Sequence, residues 1–201
     1  MDIPEEIQVQ PLRRKFLDEV ILIHMAGLGY TLNSRLGTRH LAYLYEKMGD
    51  DEECYVGVAL LDGRPVGVVS GTEDAAVLKS RLLRSMSIAR AAGTGVRLLS
   101  QPWLVIQWVK EAIIAAPVIY EGHEVKAVLT TIAVHADLQS RGVGRRLVHA
   151  LEQFFARRHV VRYRLDTLTR NSGARAFYTA LGFAEVAKRA DSYVFVKRVG
   201  G

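Results

Sequence analysis

The sequence predicts a single α/β domain, and three observations support that fold class. The chain has 201 residues, a length that suits one domain with a substantial core. Hydrophobic residues make up 49% and charged residues 24%, as in an ordinary soluble globular protein. Strand-like apolar runs alternate along the chain with stretches that carry apolar residues at helical spacing. We therefore treat residues 1–201 as one domain.

The N-terminal part predicts a strand, two helices and a hairpin. The elements are a strand at 7–9, a helix at 12–25, a helix at 38–48 and strands at 55–61 and 65–71. Gly27 and Gly29 are expected to end the first helix, because glycine is common after a helix C-terminus. The turn that joins the two strands is Asp62-Gly63-Arg64.

A glycine-containing turn after a strand predicts an anion site. Residues 125–134 form an apolar, β-rich run, and Gly142 and Gly144 follow just before a helix with apolar residues at helical spacing. Such a turn gathers unpaired backbone N–H groups at the positive end of the helix dipole, and glycine lets a phosphate approach the backbone. Positive charge is added by three arginines, Arg141, Arg145 and Arg146. The segment is therefore predicted to hold a pyrophosphate.

The C-terminal part predicts a strand, a helix and a second hairpin. The elements are a strand at 161–166, a helix at 172–181 and a hairpin at 183–199. Asn171 is a natural N-cap for this helix, and Gly182 is placed where the helix must stop.

Two common nucleotide-binding patterns do not fit the glycine turn. A Rossmann fingerprint needs a third glycine where Leu147 stands, and the Gly-Lys-Ser/Thr of a Walker loop does not occur. The turn instead matches the acetyl-CoA signature Q/R-x-x-G-x-G/A, with the residues Gln139-Ser140-Arg141-Gly142-Val143-Gly144. A second block follows toward the C-terminus, Asn171…Ala174…Phe177-Tyr178…Gly182-Phe183. Together they resemble the GNAT superfamily of N-acetyltransferases, strictly over residues 124–198 and more loosely over residues 7–72.

The resemblance implies a GNAT fold, in which a mixed, mostly antiparallel central sheet is splayed at the cofactor site. Acetyl-CoA would be the acyl donor, with no metal, and would lie between the fourth and fifth strands. Backbone groups at 132–134 would pair with the pantetheine arm, the amides of 141–146 would bind the pyrophosphate, and Asn171 would hydrogen-bond the cofactor. The full set of implied cofactor residues is Ile132, Ala133, Val134, Gln139, Ser140, Arg141, Gly142, Val143, Gly144, Arg145, Arg146 and Asn171.

The same resemblance implies that Tyr178 is the general acid that protonates the leaving thiolate. A phenol of pKa about 10 suits a thiolate of similar basicity, whereas the structural alternative is a core tyrosine packed on Phe177. Many family members carry a glutamate base early on the fourth strand, where this chain has Val128. The neighbouring candidates for a base are Glu73, Asp74, His123 and Glu124. A further alternative is an acceptor amine that needs no dedicated base.

Residues 74–120 exceed the minimal family plan and resemble an insertion between the third and fourth strands in a bacterial subgroup. One helix is predicted by an apolar stripe at Leu78, Leu82, Leu83 and Met86. Basic residues surround that stripe, Lys79, Arg81, Arg84 and Arg90. A second apolar stretch at 98–114 carries two tryptophans, Trp103 and Trp108. The insertion completes the core, covers the acceptor side or contacts a membrane surface peripherally, and the sequence leaves these roles open.

Charge and cysteine content restrict the partners and the compartment. The net charge of +6 favours anionic ligands, but the basic residues lack the aromatic interleaving of a nucleic-acid-binding module. Cys54 is the single cysteine, which excludes an intrachain disulfide and favours a reducing cytoplasm. The first residues do not resemble a signal peptide, and no apolar run reaches the length of a membrane span.

The sequence therefore predicts a cytoplasmic acyl-CoA-dependent N-acyltransferase, specifically an acetyltransferase for an amine of a small molecule. An amino sugar, free or nucleotide-linked, is the first acceptor hypothesis, because of the insertion and the basic surface. A protein N-terminus or a lysine is the enzymatic alternative. A non-catalytic CoA-binding sensor is the alternative from another class, since the family glutamate is replaced by Val128. Acyl length and oligomeric state are left open.

Overall fold

A mixed sheet forms the centre of the protein in a computed structural model that describes residues 7–85, 118–189 and 191–200. The strands are β1 Gln8–Pro11, β2 Cys54–Leu61, β3 Arg64–Thr72, β4 Val118–Tyr120, β5 His123–Val125, β6 Ala127–Val134, β7 Arg162–Leu168, β8 Ala184–Arg189 and β9 Ser192–Arg198. Seven strands form one sheet in the order β1-β2-β3-β6-β7-β9-β8, while β4 and β5 form a separate hairpin. Neighbours are antiparallel except β6 and β7, which run parallel. The predicted mixed, mostly antiparallel sheet is thus confirmed.

Helices cover both faces of this sheet. Those in the described ranges are α1 Leu17–Leu28, α2 Leu32–Arg35, α3 Thr38–Gly49, α4 Ala75–Arg84, α5 Val143–Arg157 and α6 Ser172–Ala180. Helices α1, α3 and α4 pack with Val58 and Val68 on one face, which we call the α1 face. Helices α5 and α6 pack with Tyr163 and Leu165 on the opposite face, which we call the α5 face. Two separate buried clusters therefore sandwich the sheet.

The first helix differs from its prediction at both ends. It begins at Leu17 after a 3-10 turn, and it continues through Gly27 to Leu28. A Cβ added at Gly27 would stand 3.4 Å from the Ala133 Cβ of β6, so this glycine allows helix and sheet to pack closely. Gly29 caps the helix in the right-handed conformation, with φ −57°. Close packing of α1 against β6 therefore explains why residue 27 is a glycine. The prediction that Gly27 ends the helix is wrong.

Two short elements escaped the sequence analysis. Helix α2 spans four residues, too few for a periodic pattern, and begins where the Thr31 side chain accepts a hydrogen bond from Ser34 N. The β4–β5 hairpin turns at Glu121 and Gly122, which have φ values of 50° and 76°. The Glu121 carboxylate then pairs with Arg162 of β7 at 2.7 Å, which fastens the hairpin to the sheet.

The start of the predicted insertion is a helix, as expected. Leu78 of α4 is buried in the α1-face core, whereas Leu83 is 56% exposed. Only part of the predicted apolar stripe therefore packs against the core. Arg81 donates to Asp51 at 2.8 Å and to Glu53 at 2.7 Å, so its charge is matched within the fold. The second predicted apolar stretch, with both tryptophans, lies outside the described residues. Within the described ranges, every helix is too short or too polar to span a bilayer.

Candidate active site

Strands β6 and β7 separate after two residue pairs and leave a wedge between them. Their parallel register consists of Ala127 with Tyr163 and Val128 with Arg164. On its other edge β6 remains paired with β3 as far as Val134. Residues 129–134 therefore present an unpaired strand edge toward β7, and an extended ligand can add to such an edge as another strand would. The predicted cofactor residues 132–134 all lie along it.

A bulge in β6 interrupts the strand inside the wedge. Ser70 pairs with Thr131 and Gly71 pairs with Leu129, so Thr130 is an extra residue on β6. The Thr130 and Ser70 hydroxyl oxygens are 2.7 Å apart and share a hydrogen bond. Bulges redirect side chains and are common beside active sites, and this one brings hydroxyl groups to the α1 face of the wedge.

The loop between β6 and α5 offers a run of free backbone N–H groups at the open end of the wedge. Ser140 and Gly142 both have left-handed conformations, with φ values of 60° and 82°. Among the described residues, the N–H groups of 140–145 have no backbone acceptor, and no side chain caps α5. Successive N–H groups at a helix N-terminus form an anion site. Gln139 Nε2 donates to Val134 O at 3.3 Å and holds the loop to the end of β6.

Two residues predicted to bind the pyrophosphate have other partners. A Cβ added at Gly144 would stand 3.0 Å from the Phe177 ring, so this glycine lets α5 and α6 pack closely. The Arg146 N–H already donates to Gly142 O at 3.2 Å. The Arg146 guanidinium donates to Ile7 O at 3.1 Å, outside the turn. The Arg146 backbone amide and one guanidinium N–H therefore have partners within the fold, and a contact from the rest of the guanidinium to the cofactor stays a prediction.

The other residues predicted to bind the cofactor are placed so that they can contribute to the anion site of the turn. Arg141 and Arg145 are exposed at the start of α5. The Val143 side chain is buried in the α5-face core, so only the backbone N–H of this residue is available to a ligand at the turn. Asn171 Oδ1 accepts from Ala174 N at 3.0 Å and caps α6, as the alternative interpretation proposed. A contact from Asn171 to a cofactor stays a prediction.

Tyr178 lies on α6 with its ring in the aromatic core of the α5 face. Its ring centroid is 5.3 Å from that of Phe177, 5.5 Å from Phe183 and 6.1 Å from Phe195. Burial raises the pKa of the Tyr178 phenol well above its usual value, and the nearby Tyr30 phenol raises it further. Tyr178 is therefore rigidly held and stays protonated throughout the physiological pH range.

Tyr30 and Arg170 meet at the open end of the wedge. Tyr30 follows α1, which packs on the α1 face, and Arg170 lies between the end of β7 and the start of α6. The Arg170 guanidinium carbon is 5.6 Å from the centroid of the Tyr30 ring, a cation–π contact. Because Tyr30 also interacts electrostatically with Tyr178, the two phenols approach the wedge from opposite faces of the sheet.

The α1 face beside the wedge is polar although it is buried. Ser70 and Thr72 of β3 are each 1% exposed. Tyr45 of α3 hydrogen-bonds Thr131, and its hydroxyl is 2.7 Å from His24 Nδ1. Burial lowers the pKa of His24 to about 4, so the imidazole is neutral near pH 7. This neutral chain of hydrogen bonds ties α1 and α3 to the strand that borders the wedge.

Two of the predicted base candidates lie at the closed end of the wedge. Glu73 follows Thr72, which pairs with Val128 where β6 and β7 are still joined. Its carboxylate accepts from Arg158 Nε at 2.5 Å. Asp74 accepts from the backbone N–H groups of α4 and serves as its N-cap. Both carboxylates thus have structural partners away from the open part of the wedge.

The other two base candidates lie on the β4–β5 hairpin, which precedes β6. His123 is exposed, and its Nδ1 is 2.8 Å from Glu121 O. Glu124 is also exposed, with an oxygen 4.0 Å from Lys126 Nζ. Their positions before the closed end of the wedge make them poor partners for a group bound along residues 129–134.

A buried ion pair on β7 was missed by the sequence analysis. Arg164 Nη1 donates to Asp166 Oδ2 at 2.6 Å, and the two side chains are 3% and 8% exposed. Burial raises the pKa of Asp166 to about 6, although Arg164 and Arg189 oppose the rise. The signal was present as charged residues at alternate positions of the predicted strand 161–166, namely Arg162, Arg164 and Asp166.

Comparison with known proteins agrees with this geometry. Residues 30–183 match the acetyltransferase (GNAT) family, a range that includes the wedge, the turn and Tyr178. Comparison with curated protein sequences finds no significant match. Among the described residues, no cluster of histidine, cysteine, aspartate or glutamate side chains is arranged to hold a metal ion.

Several solved structures share the fold along nearly their whole length. A PaiA N-acetyltransferase from Thermoplasma acidophilum in complex with coenzyme A is 12% identical with a TM-score of 0.63, over 96% of this chain and 99% of that chain. The ribosomal-protein-S18-alanine N-acetyltransferase from Escherichia coli is 16% identical with a TM-score of 0.59, over 96% and 94%. A GNAT-family acetyltransferase from Streptococcus pneumoniae is 14% identical with a TM-score of 0.58, over 97% and 100%. Together with the family match, the wedge and the glycine turn establish that the chain belongs to the acetyltransferase (GNAT) family.

Proposed function

We propose that the protein transfers an acetyl group from acetyl-CoA to an amine of a small molecule. The observation that carries this proposal is the β6–β7 wedge with the free N–H groups of 140–145 at its open end. An extended pantetheine arm suits the unpaired edge of β6, and a pyrophosphate suits the turn at the α5 N-terminus. Coenzyme A carries both groups in one molecule, and its acetyl thioester is the donor used by the family.

Tyr178 supplies the proton for the leaving group in this proposal. The amine nitrogen attacks the thioester carbon, the carbon–sulfur bond breaks, the sulfur takes the phenolic proton, and the proton lost by the nitrogen restores the phenol. The phenol is protonated before each turnover, and because burial raises the pKa of Tyr178 it is a weaker acid than the ordinary phenol assumed from the sequence. The rings of Phe177 and Phe183 fix its orientation, so little reorganisation is needed when charge develops on sulfur.

The polar α1 face of the wedge supports an acceptor that carries hydroxyl groups. Hydroxyls from Ser70, Thr130 and Thr131 gather there, and each can donate and accept a hydrogen bond. An amino sugar, free or nucleotide-linked, offers matching hydroxyls beside its amine. The net charge of +6 further favours a phosphorylated acceptor.

A peptide α-amine is the second candidate acceptor, because a ribosomal-protein alanine N-acetyltransferase shares the fold. Release of free thiol from acetyl-CoA, measured against amino sugars, nucleotide-linked amino sugars and short peptides, separates the candidates. We expect kcat/KM for the best amino sugar to exceed that for any peptide at least tenfold, a difference of about 1.4 kcal/mol. Preference for a peptide would favour the second candidate. Calorimetric CoA binding without thiol release from any amine would instead indicate a sensor.

A further inference from the structure

Asp166 lies at the vertex of the wedge, on the α1 face. Arg164 forms the last residue pair between β7 and β6, and Asp166 is the next residue of β7 on the same face. Tyr163 and Leu165, which alternate with them, belong to the α5-face core together with Tyr178. The Asp166 carboxylate and the Tyr178 ring therefore lie on opposite faces of the sheet beside the point where β6 and β7 part.

One oxygen of the Asp166 carboxylate has a donor, and the other lacks one. Oδ2 accepts from Arg164 Nη1 at 2.6 Å. Oδ1 is fully buried and has no hydrogen-bond partner among the described residues. A buried carboxylate oxygen without a donor is costly and uncommon in a folded protein. An ammonium or amine N–H of a bound acceptor would supply the missing donor.

The surroundings of Asp166 suit a base that works near neutral pH. The charged groups that face it in the described structure are Arg164 on its own strand and Arg189 on β8, while its β9 neighbour is the apolar Val194. Both arginines stabilise the carboxylate, yet burial outweighs them and raises its pKa to about 6. A carboxylate with this pKa is a stronger base than an ordinary aspartate and is still mostly unprotonated at pH 7.

We propose that Asp166 binds the amino group of the acceptor through Oδ1 and is the general base of the transfer. The inference rests on the proposed function and fills the role of the family glutamate that Val128 replaces. The ammonium gives one proton to Asp166, the nitrogen attacks the thioester carbon, and the carbon–nitrogen bond forms as the carbon–sulfur bond breaks. The thiolate takes the Tyr178 proton, and the second proton that the nitrogen loses is returned to the Tyr178 phenolate. Asp166 then releases its proton to solvent, so each turnover yields amide, free thiol and one proton.

The replacement Asp166→Asn tests this role, because an asparagine oxygen can still accept from Arg164 but the side chain cannot take a proton. We expect kcat/KM to fall at least a hundredfold at pH 7.5, with unchanged acetyl-CoA affinity by calorimetry. In the wild type, kcat/KM should fall as pH drops through about 6, since the unprotonated form is active, and the Asn variant should lose this limb. Glu185→Gln is the matched control, because it also removes the charge of an Arg-paired carboxylate, and this variant should keep both the activity and the acid limb of the profile.

The outcomes separate the two proposals. A wild type that releases no thiol with any amine contradicts the proposed function itself. An active wild type whose Asn variant keeps its activity and its acid limb overturns the role of Asp166 alone. If the Asn variant fails to bind acetyl-CoA, the wild-type profile decides. Loss of wild-type activity below pH 6, with a profile that fits the uptake of one proton, then supports Asp166 as the base. A wild-type profile that is flat down to pH 5 overturns that role.

Discussion

Removal of the Tyr178 hydroxyl, in the replacement Tyr178→Phe, is expected to lower kcat at least a hundredfold and to leave acetyl-CoA affinity unchanged. A general acid contributes about a hundredfold to ten-thousandfold, and it acts on the sulfur only as the carbon–sulfur bond breaks. Phenylalanine fills the same space among Phe177, Phe183 and Phe195, so the aromatic core is retained. Steady-state kinetics and calorimetry on the same preparation measure both quantities.

The control for this replacement is Tyr55→Phe. Tyr55 lies on β2 and stacks on Phe154 at a centroid distance of 5.5 Å, so its hydroxyl is outside the wedge. The control variant should keep the wild-type kcat. Full activity of Tyr178→Phe, under conditions where chemistry limits the rate, would remove Tyr178 from the mechanism.

A side chain at Gly142 is expected to weaken coenzyme A binding by about a hundredfold, or about 2.8 kcal/mol. Gly142 has φ 82°, a conformation that a β-branched residue essentially never adopts. Gly142→Val should therefore rotate the free N–H groups of the turn away from the pyrophosphate. Loss of one or two charge-assisted hydrogen bonds, at about 1.5–3 kcal/mol each, accounts for the size of the effect. Isothermal calorimetry with coenzyme A measures it.

The matched control is Gly63→Val in the turn between β2 and β3. Gly63 has φ 75°, and an added Cβ would meet no atom within 4 Å. The control therefore introduces the same backbone strain at a position remote from the wedge, and its coenzyme A affinity should equal that of the wild type. Gly144→Glu would test the turn less cleanly, because the new side chain would also press on Phe177. Equal affinity of folded Gly142→Val and wild type would contradict the binding role of the turn.

Much of the fold follows from local patterns that the sequence displays. The strand before the glycine turn and helices α5 and α6 were predicted because their apolar spacing is a local signal, as is the Asn171 cap of α6. Gly182 has φ 84° just after α6, so it ends that helix in the left-handed conformation for which glycine is favoured. The prediction for Gly27 was wrong, because this glycine allows a close contact with Ala133, a residue distant in sequence.

The candidate site was predictable where a motif is local and unpredictable where side chains find distant partners. The spacing of Gln139 and Gly142 predicted the position of the turn, because a left-handed residue and a helix start are specified by a few neighbouring residues. The contact of Arg146 with Ile7 joins residues far apart in the chain, so no local pattern reveals it. The role proposed for Asp166 depends on where β6 and β7 part, and that register becomes visible only in the assembled sheet.

Hydrogen–deuterium exchange with and without coenzyme A tests most directly whether the β6–β7 wedge is the cofactor site. If the pantetheine arm pairs with β6 and the pyrophosphate sits on the turn, backbone amides in residues 129–134 and 140–145 should gain protection. The amides of β1 and β2, which lie across the sheet from the wedge, should exchange at unchanged rates. Protection that appears elsewhere while both of these segments exchange as in the free protein would contradict the assignment.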